Sequence, residues 1–172
     1  MPDLSLAFDA ERGIFDLVLS SPDLQGDDGL LTAVIISLFT DRRAHDDDPL
    51  PDERVGVPSD MRGWWGDYFE TEKRPDPIGS RLWLLWREKE MAVVVARAQE
   101  YASEALAWLT RDGRAARIEV NAVHAGPRML AINIRALPLP GTEDAGREWN
   151  FMYDYVNAAP VRMGTGFPPT RE

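Results

Sequence analysis

Acid–base, metal and nucleophilic chemistry each need particular side chains at particular spacings, and this chain offers few. Its two histidines lie apart, His45 beside Asp46-Asp47-Asp48 and His124 next to Ala125-Gly126-Pro127. A zinc site draws three or four ligands at close spacing, and no HExxH or related pattern occurs. The acidic run has the oxygens a hard cation wants, but it lacks the spacing and terminal glutamate of an EF-hand; a solvated loop is the expected state of such a charge run. With no cysteine, thiolate ligands, thiol nucleophiles and disulfides are excluded. Ser37, Ser59, Ser80 and Ser103 sit in no GxSxG-like elbow. Neither GxxxxGKS nor GxGxxG is present, and Gly164-Thr165-Gly166 has no strand-to-helix context. Asp67 with Glu70 has the makings of a glycosidase carboxylate pair, yet among 29 acidic residues such pairs arise by chance. The expectation is therefore no catalytic, cofactor-binding or metal site.

Recognition chemistry is better represented. Trp64 and Trp65 lie in Gly63-Trp64-Trp65-Gly66-Asp67. Adjacent side chains in a regular element point different ways, so one indole is free to face the core while its neighbour faces a partner. Large aromatics dominate protein interfaces, although they also complete cores. Trp83 and Trp86, within the apolar run Leu82-Trp83-Leu84-Leu85-Trp86, read as core. Arg117 enters a strand just after a helix, where its planar fork can pair with carboxylates within the fold or on a neighbouring chain. Trp64, Trp65, Asp67 and Arg117 are the candidate partner-binding residues.

The chain has 172 residues, 44% of them hydrophobic, with 29 acidic against 19 basic residues and a formal net charge of −10. This length suits one domain with a real core. The acidic balance disfavours nucleic acid and anionic lipid, whose phosphates are held by clustered Lys and Arg. No apolar stretch is long enough to span a membrane, and the N-terminal segment lacks a basic region followed by an apolar core, so a soluble protein without a classical export signal is expected.

Several elements must position these residues. Leu4, Leu6 and Phe8 alternate, and extended character resumes at Ile14 to Leu19 after Ala10-Glu11-Arg12-Gly13, which predicts an N-terminal hairpin. Residues 30–39 fit a short helix capped by Asp27 or Asp28, although Val34, Ile35 and Ile36 also suit a strand. Residues 41–60, with three prolines, read as a long acidic surface loop. From about Glu88 to Thr110, Met91, Val94, Val95, Ala98, Tyr101, Ala102, Ala105, Trp108 and Leu109 recur at helical spacing, which predicts a long helix with one buried face, closed by Asp112-Gly113. Arg97, Glu100, Glu104 and Arg111 fall on its other side. Residues 117–123 and 130–134 alternate as a second hairpin covering that helix, and Trp149, Phe151, Tyr153 and Tyr155 add a further strand. The predicted class is α+β: a small antiparallel or mixed sheet from N-terminal and C-terminal hairpins, packed on one long central helix and a shorter one. A single domain over residues 1–158 and a flexible tail over 159–172 are expected.

In this order, "LLTAVIISLFTDRRA", "RGWWGD", "GSRLWLL" and a long helix running into "ARIEVNAV" resemble the small baseplate wedge proteins of Mu-like contractile-tailed phages, the gene-product-forty-six family. That family looks related to the T-even sheath-initiator wedge protein and to the TssE component of type VI secretion. The resemblance implies an α+β fold, no enzymatic activity and no cofactor. It also implies a place in the virion tail baseplate in multiple copies, after assembly in the host bacterial cytoplasm. The implied partners are the larger wedge proteins and the tail sheath, whose first ring it would help to start. In the relatives a Glu-Pro-Arg motif follows the long helix; here the segment reads Ala115-Ala116-Arg117-Ile118, so only the arginine and the isoleucine carry over. From the residues alone, two other readings stand beside this one. One is an acidic immunity or antitoxin-like module that neutralises a basic protein; the other is a small hydrolase using carboxylates between Gly63 and Glu70.

Overall fold

The computed structural model describes residues 3–9, 11–20, 23–24, 26–27, 30–50, 60–69, 77–88, 91–141 and 146–164. Three short antiparallel ribbons open the chain. They pair β1 (Asp3–Leu4) with β6 (Gly26–Asp27), β2 (Leu6–Asp9) with β3 (Ile14–Leu17), and β4 (Leu19–Ser20) with β5 (Asp23–Leu24). The expected hairpin is the second of these. Its turn is held by Asp9, whose carboxylate accepts the amides of Glu11 and Arg12 at 2.9 and 3.1 Å. It forms a sheet of its own and does not join the C-terminal strands.

Helix α1 (Leu31–Phe39) follows. Three consecutive β-branched residues left helix and strand open from sequence; burial decides for the helix, because Thr32, Val34, Ile35, Ser37 and Leu38 are enclosed while Ile36 is exposed, and a largely internal segment satisfies its own amides best as a helix. Leu30 occupies the cap position with no side-chain hydrogen bond, Asp27 lies in β6, and Asp28 is outside the described residues. Phe39, at the end of α1, stacks on Phe15 at 5.7 Å and meets Phe151 edge-on at 5.3 Å. This aromatic row fastens the N-terminal ribbon to the sheet.

The long helix α2 (Met91–Arg111) buries Val94, Ala98, Tyr101, Ala102, Ala105 and Leu109, as its spacing predicts, and Leu106 beside them, which is not in the expected stripe. Gly113 closes it at a φ of +67°, and the next amide, Arg114 N–H, donates back to the Leu109 carbonyl at 2.8 Å. Four antiparallel strands follow: β7 (Arg117–Gly126), β8 (Met129–Leu137), β9 (Arg147–Asp154) and β10 (Ala159–Gly164), in the order β10-β9-β8-β7. Leu130, Ile132 and Ile134 pair across the ladder with Tyr153, Phe151 and Trp149 on one side, and Ala122 stands opposite Ile132 on the other. These residues form the inner face against α2, and each fully buried large side chain there contributes roughly 1.5–3 kcal/mol. On the other face Asn121, Asn133 and Asn150 align in register. Asn133 Nδ2 donates to Asn150 Oδ1 at 2.6 Å and to Glu148 Oε1 at 2.8 Å.

The expected boundary at residue 158 is not where the sheet ends. Ala159–Gly164 are paired with β9, with an irregularity between Pro160 and Arg162. Proline and glycine read as breakers, but an edge strand accepts a proline whose missing N–H would face away from the ladder. The rest of the expected tail lies outside the described residues.

Candidate interaction surface

The apolar run predicted as core forms a 3-10 helix, Leu82–Arg87. Trp83 is buried at 3% exposure and its indole N–H donates to the Arg42 carbonyl at 2.8 Å, whereas Trp86 is 37% exposed. The core expectation therefore holds for Leu82 to Leu85, which are buried all round, and fails for Trp86, which lies one 3-10 turn after Trp83 where the end of the helix comes out of the core.

Arg81, immediately before this turn, organises the surroundings. Its Nη1 donates to both Asp48 oxygens at 2.9 Å, and its Nε and Nη2 donate to Glu104 Oε2 at 3.0 and 2.8 Å. The guanidinium lies over the Tyr101 ring at 4.6 Å, and Arg42 adds an ion pair to Glu104 at 3.4 Å. Burial pulls the Arg81 pKa down, but the hydrogen bonds and charges of Glu104 and Asp48 more than reverse this and leave it raised; the cation is secure. Burial likewise lifts the Tyr101 phenol, helped by the charge of Asp48. Two expectations are corrected here. Asp48 is not part of a solvated acidic run but is enclosed with Arg81, and Glu104 leaves the outer side of α2 to join them. Residues 51–59 of the expected loop are outside the described residues.

Residues 61–69 lie beside this hub. Ala44 N–H donates to the Met61 carbonyl at 2.9 Å. Arg62 Nη1 reaches Asp41 Oδ2 at 2.6 Å while its guanidinium covers the Trp83 ring at 4.5 Å. Trp65–Phe69 form a second 3-10 turn. A Cβ on Gly66 would overlap the Trp64 indole, so glycine is what lets that ring fold back over the turn. Trp64 and Trp65 are 44% and 73% exposed, with ring centroids 5.5 Å apart. Neither indole completes the core.

Asp67 Oδ1 accepts the Ile78 amide at 3.2 Å. Its Oδ2 is, among the described residues, the buried side-chain polar atom that has no hydrogen-bond partner. Asp67→Asn keeps the acceptor for Ile78 and should change unfolding free energy by less than about 0.5 kcal/mol, whereas Asp67→Ala should cost about 1–2 kcal/mol. Urea unfolding measures both, and equal losses would show that the Ile78 bond is not what Asp67 contributes. Glu70, the other half of the supposed carboxylate pair, is outside the described residues, and a group of three or more potential metal ligands is not found among those described.

Trp64, Trp65 and Asp67 thus share one turn. Arg117 is separate: it opens β7, its side chain is 71% exposed, and its ionic partner is Glu119 at 3.5 Å. Arg117 and the tryptophan turn thus lie on different elements, β7 and the Trp65–Phe69 turn.

The motif segments that the structure draws together, Asp41 to His45, Arg62 to Asp67 and Gly79 to Leu85, all fall within residues 30–142, the stretch that matches the family described as phage protein GP46. The chain belongs to the phage protein GP46 family. It is 48% identical over 142 residues to the baseplate protein gp46 of Escherichia phage Mu, covering 81% of this chain and 89% of that one. It is 38% identical over 137 residues to the Mu-like prophage FluMu protein gp46 of Haemophilus influenzae, covering 80% and 86%. The structure of this GP46 family member also shows what reading the residues one by one missed. Arg81 lies in a recognisable motif, but its partners stand 33 and 23 residues away, and nothing local marks Asp48 rather than Asp46 or Asp47 as the one that turns inward.

Proposed function

We propose that this chain is a non-enzymatic structural component of a contractile phage tail baseplate, which docks to the larger wedge subunit and helps to initiate the tail sheath. It would act in several copies in the virion tail, after assembly in the host bacterial cytoplasm. Its membership of a family in which a close relative is named a baseplate protein carries this reading. The geometry supports it: a stiff scaffold presents Trp64 and Trp65 outward on a turn pinned by Asp67, and exposed aromatics of this kind form the hot spots of interfaces. Arg117, exposed at the start of β7, is the second proposed contact. The acidic-module alternative loses part of its support, because Asp48 is neutralised by Arg81 and Asp41 by Arg62.

Co-expression with the large wedge protein of the same tail-gene cluster, followed by co-purification and light scattering, tests the reading. A stoichiometric complex is expected. Trp65→Ala should leave the unfolding midpoint within error of wild type and weaken the complex at least about tenfold, in the range of an interface hot spot. A fully folded Trp65→Ala chain that assembles like wild type would remove the turn from the interface. Absence of any complex, with capture of a basic protein at low salt instead, would transfer the function to the acidic-module reading.

A further inference from the structure

Beside the tryptophan turn is an open cleft of about 210 Å³, walled by Asp60, Arg62, Trp83 and Trp86 and floored by the turn between β9 and β10, Val156 to Ala158. Pockets for drug-sized ligands run about 300–1,000 Å³, so this one has room for a single long side chain. Two observations mark it as more than a surface crease. The first is conformational. Arg62 and Ala158 both adopt φ of +51°, and they are two of the three non-glycine residues with positive φ among those described. Such backbone is costly for a residue with a side chain and gathers where a site must be shaped. Glycine at 158 would relieve that strain but would remove the methyl group that lines the cleft. Asp154 holds the turn in place, its Oδ1 accepting the Val156 and Asn157 amides at 3.0 and 3.1 Å and its Oδ2 accepting the Asn157 side-chain amide at 2.8 Å.

The second observation is charge. The Arg62 cation is already committed to Asp41 at 2.6 Å and to the Trp83 ring. Asp60 is the remaining ionised group on the wall. Its Oδ1 accepts the Arg62 amide at 2.8 Å, and no ion pair engages it among the described residues. With Arg62 paired to Asp41, Asp60 leaves the cleft and its rim one net negative charge, in a chain of net charge −10, and the half-exposed Trp86 lines the same cleft. A carboxylate next to an indole is the environment that holds a cationic side chain, through ion pairing and attraction to the ring face. An anionic ligand would meet Asp60 and the acidic surface around it, and a purely aliphatic one would leave Asp60 dehydrated without a partner.

We infer that this cleft receives one arginine or lysine side chain from an extended segment of a partner baseplate protein, held between the Asp60 carboxylate and the Trp86 indole. This inference rests on the baseplate reading for the identity of the partner, but not for the chemistry of the site. The first test uses the full chain, ¹⁵N-labelled, titrated with acetyl-Gly-Arg-Gly-amide and with acetyl-Gly-Glu-Gly-amide while the tryptophan indole N–H resonances are followed. The arginine peptide should shift the Trp86 resonance saturably, with an affinity that falls as salt rises. Asp60→Asn, which keeps the acceptor for the Arg62 amide, should weaken that affinity about three- to tenfold. Equal shifts by the glutamate peptide, shifts by neither peptide, or an unchanged affinity in Asp60→Asn would overturn the inference. The second test repeats the wedge co-purification with Asp60→Asn and Trp86→Ala. A wild-type complex that both variants form at full strength would overturn the cleft while leaving the baseplate reading intact. Saturable, Asp60-dependent peptide binding without any wedge complex would support the cleft and count against the baseplate reading alone.

Discussion

Arg81→Ala is expected to lower the free energy of unfolding by about 3–5 kcal/mol, a large part of the roughly 5–15 kcal/mol that holds a domain folded. Arg81 is itself buried, and the Asp48 carboxylate is almost as enclosed. Removing the cation leaves the enclosed Asp48 carboxylate without its counter-ion and without the two 2.9 Å hydrogen bonds from Arg81, with the His45 amide still donating to it at 2.8 Å. Glu104 is in a milder position, because Arg42 remains at 3.4 Å. The main loss therefore falls on Asp48 and on the segment around it, which should come away from α2. Arg81→Lys should lose less, about 1–2 kcal/mol, since an ammonium keeps the charge but cannot span both carboxylates as the planar fork does. Pairing Arg81→Met with Asp48→Leu should recover more than half of the loss, because the dehydrated charge is gone along with its partner. Urea titration at constant m-value gives all three numbers. A loss below about 1 kcal/mol for Arg81→Ala would mean that other contacts, such as Ala44 with Met61, hold the segment.

The same cluster explains where reading the chain succeeded and where it stopped. Helix α2 was legible because Val94, Ala98, Tyr101, Ala102, Ala105 and Leu109 repeat at a period no strand shares; among the described residues it runs from Met91 to Arg111. The β7–β8 hairpin was legible because strict alternation over Leu130, Ile132 and Ile134 can only describe a sheet with one dry face. What was not legible depends on pairs distant in sequence. Asp48 and Arg81 meet because residues 41–48 lie along the Leu82–Arg87 turn, through the Arg42 amide on the Ser80 carbonyl at 3.0 Å and the Trp83 indole on the Arg42 carbonyl, and no local propensity encodes that. Strand β10 was hidden for the opposite reason, since Pro160 and Gly164 carry local signals that an edge position overrides. Of the candidate contacts, Trp64, Trp65 and Asp67 were found by residue type and are brought into one turn. Trp86 and Asp60 were overlooked, the first because an apolar run looks uniformly internal and the second because one more aspartate in an acidic chain carries no signal.

Gly79→Ala should cost about 3 kcal/mol, well above an ordinary glycine substitution. Its φ is +96°, and a Cβ there would collide with the carbonyl group of Thr40. That carbonyl cannot withdraw freely, because it accepts the Ser80 amide at 2.9 Å, and Ser80 in turn accepts from Arg42 N–H and donates its hydroxyl to the Leu38 carbonyl at 2.5 Å. Backbone is thus met by backbone on both sides, at the point where the end of α1 turns into the motif segment. Gly113→Ala is the control. It too has positive φ, +67°, but its Cβ would meet nothing within 4 Å, so only conformational strain of about 1 kcal/mol is expected. If the two substitutions cost the same, the close approach of residues 40 and 79 contributes nothing. If Gly79→Ala costs the larger amount, its effect should also reach the tryptophan turn proposed as the contact, because residue 78 supplies the amide that holds Asp67 at 3.2 Å. Wedge co-purification should then weaken in Gly79→Ala at temperatures where the chain is still folded, and should be unaffected in Gly113→Ala, whose added Cβ would touch nothing.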